Sequence, residues 1–111
     1  MIDEARRIVA EATRLVTFSG AGLSAESGLS TFRQKQTGLW AKHDPMKLAS
    51  VHGFAEDPEF VIDWYAMRRR GVAEAVPNAA HVALAARDDV VHVTQNVDDL
   101  LERAGASDVV H

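Results

Sequence analysis

A glycine-rich segment directly follows a short apolar run near the start of the chain. Residues 20–25 read GAGLSA and fit the pattern Gly-x-Gly-x-x-Gly/Ala, and the preceding run 15–19 is β-branched and aromatic, as a buried parallel strand is. Bare backbone in such a loop lets a pyrophosphate approach the amides at a helix start. The segment indicates a nucleotide-phosphate site, and a strand-to-helix turn without ligand is the open alternative.

A second polar group follows another apolar run. Gln95, Asn96 and Asp98 come after the predicted strand 90–94, at its carboxyl end, which is the edge where ligands of parallel α/β sheets bind. The plainer interpretation is that Asn96 or Asp98 only caps the next helix. The two roles are compatible, because a capping side chain can also bind a ligand.

Tyr65 and Arg68 form a third candidate pair. They stand three positions apart in a predicted helix, so they share a face and could meet one small anion together. The alternative is that both are surface residues without a role, since an exposed aromatic ring and an arginine on a helix cost little. Arg69 and Arg70 are interpreted as solvated neighbours.

The other residue types that often bind metals or act in catalysis give no further site. The chain has no cysteine, which excludes disulfides and any thiolate zinc site within these residues. The spacing of His43, His52, His81 and His92 suggests neither a metal centre nor a catalytic triad, so we expect surface or packed imidazoles.

Hydrophobic periodicity and turn residues predict the elements that position these groups. We expect a helix over 2–13, a strand over 15–19, the glycine loop with a helix after it, and a long loop from 30 to about 52. A helix should start at Asp57 and end at Gly71 or Pro77, and a shorter one should start at Asn78. The strand 90–94, a helix over 98–104 stopped by Gly105, and a third strand from Val109 complete the prediction.

Composition sets the class and size of the protein. With 111 residues, 47% hydrophobic and 25% charged, the chain is typical of one small globular domain. A net charge of -4 argues against a nucleic-acid surface, and no apolar stretch approaches the roughly 18 residues of a membrane span. We expect a cytoplasmic α/β protein, an incomplete Rossmann-like parallel sheet with flanking helices, that binds neither nucleic acid nor a membrane.

A nicotinamide dehydrogenase is one function to weigh for the glycine loop. That fold places an acidic residue about 20 positions further on, at a second strand, to hold the adenosine ribose. Asp44 lies near this distance, but it precedes Pro45 in a stretch without a strand pattern. Hydride transfer therefore ranks third among the functions considered.

Several separated motifs together resemble the sirtuins, the NAD-dependent protein lysine deacylases. Residues 20–28 read GAGLSAESG, 31–33 read TFR, 38–40 read GLW and 94–98 read TQNVD, in the order in which that family has them. The resemblance runs from about Leu15 to the last residue. The chain departs from the family pattern at Ser30, where Pro or Arg is common, and at Leu101, where His is common.

The resemblance implies NAD as cofactor and assigns roles to residues. The glycine loop would line the phosphates, Phe32 would cover the reactive ribose and Arg33 would help to fix the cofactor. Gln95 would lie beside the ribose, and Asn96 with Asp98 would form the nicotinamide pocket. The full set implied to bind the cofactor is Gly20, Ala21, Gly22, Ser24, Ala25, Glu26, Thr31, Phe32, Arg33, Trp40, Gln95, Asn96 and Asp98.

The resemblance also implies a reaction and a substrate. Sirtuins transfer the acyl group of a protein lysine to ADP-ribose and release nicotinamide. A Tyr-x-x-Arg pair marks the branch that removes malonyl, succinyl or glutaryl groups, so Tyr65 and Arg68 would bind the acyl carboxylate. The partners implied are acylated lysine side chains of proteins.

Parts of the family pattern fall outside the chain. The family's general-base histidine stands two positions beyond the residue that matches His111, and the four-cysteine zinc module and the later strands of the sheet also come later. Residues 1–111 therefore resemble the N-terminal part of a sirtuin-type NAD-binding domain. The second hypothesis is a catalytically inactive fragment that at most binds NAD or ADP-ribose.

Overall fold

A computed structural model describes residues 1–29 and 43–111. The described elements are α1 (Ile2–Glu11), β1 (Leu15–Ser19), a 3-10 helix (Ala21–Ser27), α2 (Pro45–Leu48), α3 (Val51–Glu56), α4 (Pro58–Glu74), α5 (Ala79–Ala85), β2 (Val90–Thr94), α6 (Leu100–Arg103) and β3 (Val109–Val110). None of the described helices has the length and apolar character needed to cross a bilayer.

The three described strands form one parallel sheet in the order β1-β2-β3. Thr17 pairs with His92 and Ser19 with Thr94, so the carboxyl ends of β1 and β2 are level with each other. His92 and Thr94 point to a covered face, whereas Phe18 on the opposite face is 76% exposed. The predicted α/β fold with an incomplete parallel sheet is confirmed.

The segment from 43 to 52 corrects one prediction, because it contains α2 and part of α3 rather than a loop. These helices have only four and six residues, too few to show a hydrophobic period. Capping side chains start both of them: Asp44 accepts a hydrogen bond from Met46 N, and Ser50 accepts one from Gly53 N.

The ends of two helices can be compared with the prediction. Of the two stops predicted for α4, Gly71 lies inside the helix, which ends at Glu74, shortly before Pro77. Helix α6 begins at Leu100 rather than at Asp98, because the Asp98 carboxylate accepts the Leu100 N–H and so lies outside the helix. The predicted stop at Gly105 agrees with its positive φ of 107°.

Helix α4 is fixed at both ends by side chains. Asp57 accepts the Phe60 N–H at its start. At its end, the Arg103 guanidinium on α6 donates to the carbonyls of Val72 and Ala75, both at 2.8 Å. These carbonyls lack a partner within the helix, so Arg103 both pairs them and offsets the negative end of the helix dipole.

Replacing Arg103 with methionine should therefore destabilise the protein by about 1 kcal/mol, because the aliphatic stem remains while the pairing to α4 is lost. Urea unfolding followed by circular dichroism measures the change. Arg14→Met is the matched control, since Arg14 is exposed on the segment before β1. Equal unfolding free energies for the two variants would contradict the capping role.

Candidate functional site

The glycine loop and the segment after β2 meet where the two strands end. Gln95 N donates to Ser19 O at 3.1 Å, and Asn96 Nδ2 donates to Gly20 O at 3.1 Å. A methyl group on Gly20 would stand 2.5 Å from Gln95 Nε2, so the exposed Gln95 side chain would have to turn away to make room for it. The two polar groups predicted at separate strand ends thus form one site.

Three side chains from different parts of the chain form a buried network there. Ser24 and His81 are 1% and 0% exposed, and Asp98 is 9% exposed. The Ser24 hydroxyl donates to Asp98 Oδ2 at 2.8 Å, and His81 Nε2 lies 3.4 Å from Ser24 Oγ. Asn96 Nδ2 also lies 3.4 Å from the same hydroxyl oxygen.

The hydrogen bonds around His81 define its tautomer. His81 Nδ1 accepts the backbone N–H of Asn78 at 3.1 Å, so the ring proton must be on Nε2. Nε2–H then donates to Ser24 Oγ, and the Ser24 proton points to Asp98. The hydrogen bonds therefore run in one direction, from the neutral imidazole through the hydroxyl to the carboxylate.

Sequence reasoning missed this role of His81. The prediction of a packed imidazole is correct, but the contact with Ser24 bridges 57 positions and has no local signal. The available clue was the Asn78 cap, because a capping box places the side chain three positions later back at the helix start. Asn78 also donates to Leu23 O at 2.8 Å, which ties α5 to the glycine loop.

Burial lowers the pKa of His81 below its ordinary value of 6.5, against a smaller opposing effect of Asp98. The folded protein thus keeps this ring neutral where the unfolded chain would protonate it. Stability from this ring is complete above pH 6.5 and is lost as the pH falls below it.

Urea unfolding from pH 8 to pH 5.5 should therefore show a decline in stability that is smaller in His81→Asn, which cannot titrate. His111 has a raised pKa, caused first by its hydrogen bond to Glu102, and acts in the opposite sense. Comparing the variant with the wild type cancels that contribution. Parallel pH profiles for the two proteins would show that the pKa of His81 is not lowered in the folded protein.

A cleft of about 190 Å³ opens beside the network. Six residues predicted from the sequence line it, namely Ala21, Ser24, Arg68, Gln95, Asn96 and Asp98. Leu29, Val72 and Val97 also line it. This volume is below the roughly 300–1,000 Å³ of sites for drug-sized ligands, so it suits one small ring rather than a whole dinucleotide.

The other predicted residues of the glycine loop lie beside this cleft rather than in its lining. Gly22 and Glu26 are exposed and Ala25 is half-buried. Apart from its own helix and chain neighbours, no atom of residues 1–29 and 43–111 lies within 4 Å of where a Gly22 side chain would begin, so these residues leave that backbone accessible to a ligand. Thr31, Phe32, Arg33 and Trp40 lie outside the described residues.

Tyr65 and Arg68 lie on the neighbouring helix α4. Both side chains line a second cleft of about 480 Å³, to which Val97 and Asp99 contribute. The Arg68 guanidinium lies 5.0 Å from the centre of the Trp64 ring, and that ring contacts Tyr65 edge to face at 4.9 Å. Arg68 borders both clefts, so the helix brings it between the two predicted sites.

The described residues contain no cluster of three or more histidine, aspartate or glutamate side chains suited to a metal ion. Leu101, where the family pattern often has histidine, is 4% exposed and packs as an apolar residue. The polar chemistry of the described site is therefore that of hydroxyl, carboxylate, amide, imidazole and guanidinium groups.

Comparison with known proteins gives the same family from sequence and from structure. The chain is 52% identical to an NAD-dependent protein deacylase of Pseudomonas putida, over 95% of this chain and 43% of the relative. It is 46% identical to an NAD-dependent protein deacylase of Corynebacterium glutamicum, over 99% of this chain and 45% of the relative. The chain thus spans less than half the length of these curated relatives.

Similar solved structures come from the same family as the sequence relatives. A mutant of a Sir2 homologue in complex with ADP-ribose matches with a TM-score of 0.90 and 47% identity, over 100% of this chain and 46% of that one. A Sir2 homologue in complex with NAD matches with a TM-score of 0.87 and 46% identity, over 98% and 44%. The Sir2 family model matches residues 20–111, most of the chain, and the chain therefore belongs to the Sir2 family.

Proposed function

We propose that this chain provides the NAD-binding part of an NAD-dependent protein lysine deacylase. One observation carries the proposal: Ser24, Asn96 and Asp98 converge at the carboxyl ends of β1 and β2, where parallel α/β sheets bind ligands. Relatives with about half of their residues identical are named NAD-dependent protein deacylases, and similar structures hold NAD or ADP-ribose.

The glycine loop fits the phosphate groups of NAD. The open space at Gly22 lets an anion approach the backbone amides without meeting a side chain of the part of the chain that the structure describes. Asn96 holds Gly20 O and thereby fixes the loop against β2. The loop is pre-organised for binding, which reduces the ordering cost that a ligand would otherwise meet.

The small cleft fits the nicotinamide group. Its polar lining from Ser24, Asn96 and Asp98 matches a ligand with one amide, while Leu29 and Val97 offer apolar contact to a ring. When bound, NAD supplies the ribose carbon from which nicotinamide leaves and to which the acyl oxygen of lysine adds. The residues of this chain bind and orient that group through a network whose protons are already placed.

Tyr65 and Arg68 give the proposal its substrate class. A guanidinium and a phenol in one cleft match the carboxylate of a malonyl, succinyl or glutaryl group, so acidic acyl-lysines would be preferred over acetyl-lysine. The proposed partners are acylated lysines of proteins, and the proposed location is the cytoplasm. The net charge of -4 supports a partner other than nucleic acid.

Two experiments test the proposal. Titration calorimetry of the chain with ADP-ribose should show binding that Asn96→Ala weakens at least tenfold, because the variant frees the glycine loop. His52→Ala, an exposed change on α3, should bind like the wild type. A folded wild-type chain without affinity for ADP-ribose would contradict the cofactor site.

The second experiment separates acyl transfer from cofactor binding alone. A chimera joins residues 1–111 to the remaining sequence of the Pseudomonas putida relative, and mass spectrometry follows a succinyl-lysine peptide with NAD. The chimera should release succinyl-ADP-ribose and nicotinamide, and the 111 residues alone should not. A folded chimera that binds ADP-ribose without releasing these products would favour the inactive alternative, and NADH formation would favour a dehydrogenase.

A further inference from the structure

His111, directly after β3, contacts a residue of the candidate site. Its ring Nδ1 lies 2.8 Å from the backbone carbonyl oxygen of Asn96. Its Nε2 lies 2.5 Å from Glu102 Oε1 on α6. The ring therefore joins three separate pieces of backbone, namely β3, α6 and the segment after β2.

Both partners of the ring are acceptors. A backbone carbonyl has no proton to give, and an ionised carboxylate has none either. A neutral imidazole donates from only one nitrogen, so it would satisfy one partner and turn a lone pair toward the other. Only the doubly protonated ring satisfies both contacts at once.

The residue held by this ring is central to the candidate site. The Asn96 side chain reaches Gly20 O and the Ser24 hydroxyl, while its backbone carbonyl faces His111. A displacement of the Asn96 backbone would therefore move the glycine loop contact and the Ser24 contact together. His111 does not line the cleft but contacts Asn96, so it acts through Asn96.

We propose that His111 is a positioning residue whose doubly protonated ring clamps the Asn96 carbonyl to Glu102, so that the cofactor cleft loosens when the ring loses its proton. The cofactor part of this inference rests on the proposed function, whereas the clamp itself does not. The consequence is cofactor affinity that declines from mildly acidic to alkaline pH.

The charges around the ring agree with this reading. Glu102 on α6 and Asp98 after β2 are the carboxylates that face it, and both favour the protonated form. The hydrogen bond to Glu102, followed by that to Asn96, raises the pKa of His111 above its ordinary value of 6.5. The ring is partly exposed, so solvent weakens but does not remove these effects.

The first test measures the clamp without any ligand. Nuclear magnetic resonance follows the His111 ring signals against pH and the amide exchange of Val97 and Asp98 at pH 6. In Glu102→Ala, the His111 midpoint should fall and the exchange of both amides should accelerate at least threefold. His111→Gln, which keeps one donor, should accelerate exchange as well, and His52→Gln should not. Unchanged exchange in both clamp variants would overturn the proposal.

The second test uses Glu102→Gln, which changes the proton requirement and little else. A glutamine amide can donate to Nε2 of a neutral ring, whose Nδ1–H still reaches Asn96, so this clamp works without the extra proton. The wild type should lose about threefold to fivefold in ADP-ribose affinity from pH 6 to pH 9, and Glu102→Gln should stay within about 1.5-fold. Glu4→Gln on α1 is the matched control and should follow the wild type.

The outcomes separate the two proposals. Parallel pH profiles for the wild type and Glu102→Gln would overturn the clamp while leaving the cofactor site in place. A wild type that binds no ADP-ribose at any pH would contradict the proposed function, and the amide exchange in the first test would still decide whether the clamp exists.

Discussion

Replacing Gly53 with alanine is expected to disrupt the packing of α2 and α3 and to destabilise the protein by about 3 kcal/mol or more. The added methyl group would lie 2.2 Å from the carbonyl oxygen of Lys47 and 2.7 Å from that of Met46. Both obstacles are backbone atoms of α2, so no side-chain rotation relieves the clash. Small domains have only about 5–15 kcal/mol of stability in total, so the loss is large.

Gly71→Ala is the matched control, since it makes the same chemical change. Gly71 lies within α4, and no described residue outside its own helix turn comes within 4 Å of the added methyl group. Alanine there should stabilise the protein by about 0.5–1 kcal/mol through helix propensity. Urea unfolding monitored by circular dichroism measures both variants. A Gly53→Ala protein as stable as Gly71→Ala would show that α2 and α3 do not pack as described.

The contrast between these glycines shows where sequence reasoning reaches its limit. Gly71 was one of two predicted stops of its helix, the other being Pro77, yet it lies within α4, and no role was predicted for Gly53. The closeness of α2 to Gly53 is a tertiary contact, which no local pattern encodes. The strands β1 and β2 were predictable, because each is a short run rich in β-branched residues, and a glycine loop follows the first of them.

The residues of the candidate site also include some that were predictable from the sequence and some that were not. Residues that follow a strand end, such as Asn96 and Asp98, were predictable because topology alone brings strand ends to one edge. The contribution of His81 was not predictable, since its position depends on how α5 packs against the glycine loop. The role of His111 likewise needs the three-dimensional arrangement of β3 and α6.

The arginine on α4 leads to the second large effect. In the chimera with the Pseudomonas putida remainder, Arg68→Met should lower kcat/KM for a succinyl-lysine peptide about 100-fold. Removing one partner of a desolvated charge pair costs roughly 2–5 kcal/mol, which corresponds to such a factor. Turnover of an acetyl-lysine peptide should change by less than about threefold, because acetyl carries no carboxylate to lose its partner. The kcat/KM of Arg68→Lys for the succinyl-lysine peptide should lie between those of the parent chimera and Arg68→Met, since lysine keeps the charge but not the bidentate donor.

The acetyl-lysine peptide also serves as a control for a purely structural effect of the substitution. Arg68 borders the small cleft and lies over Trp64, so its loss could disturb cofactor binding or the packing of α4. Either disturbance would lower turnover of both peptides by the same factor. Arg14→Met, an exposed arginine on the segment before β1 and away from both clefts, should leave both activities near those of the parent chimera. Equal losses on the succinyl and acetyl peptides in Arg68→Met would contradict the carboxylate role and would indicate a role in cofactor binding or in the packing of α4.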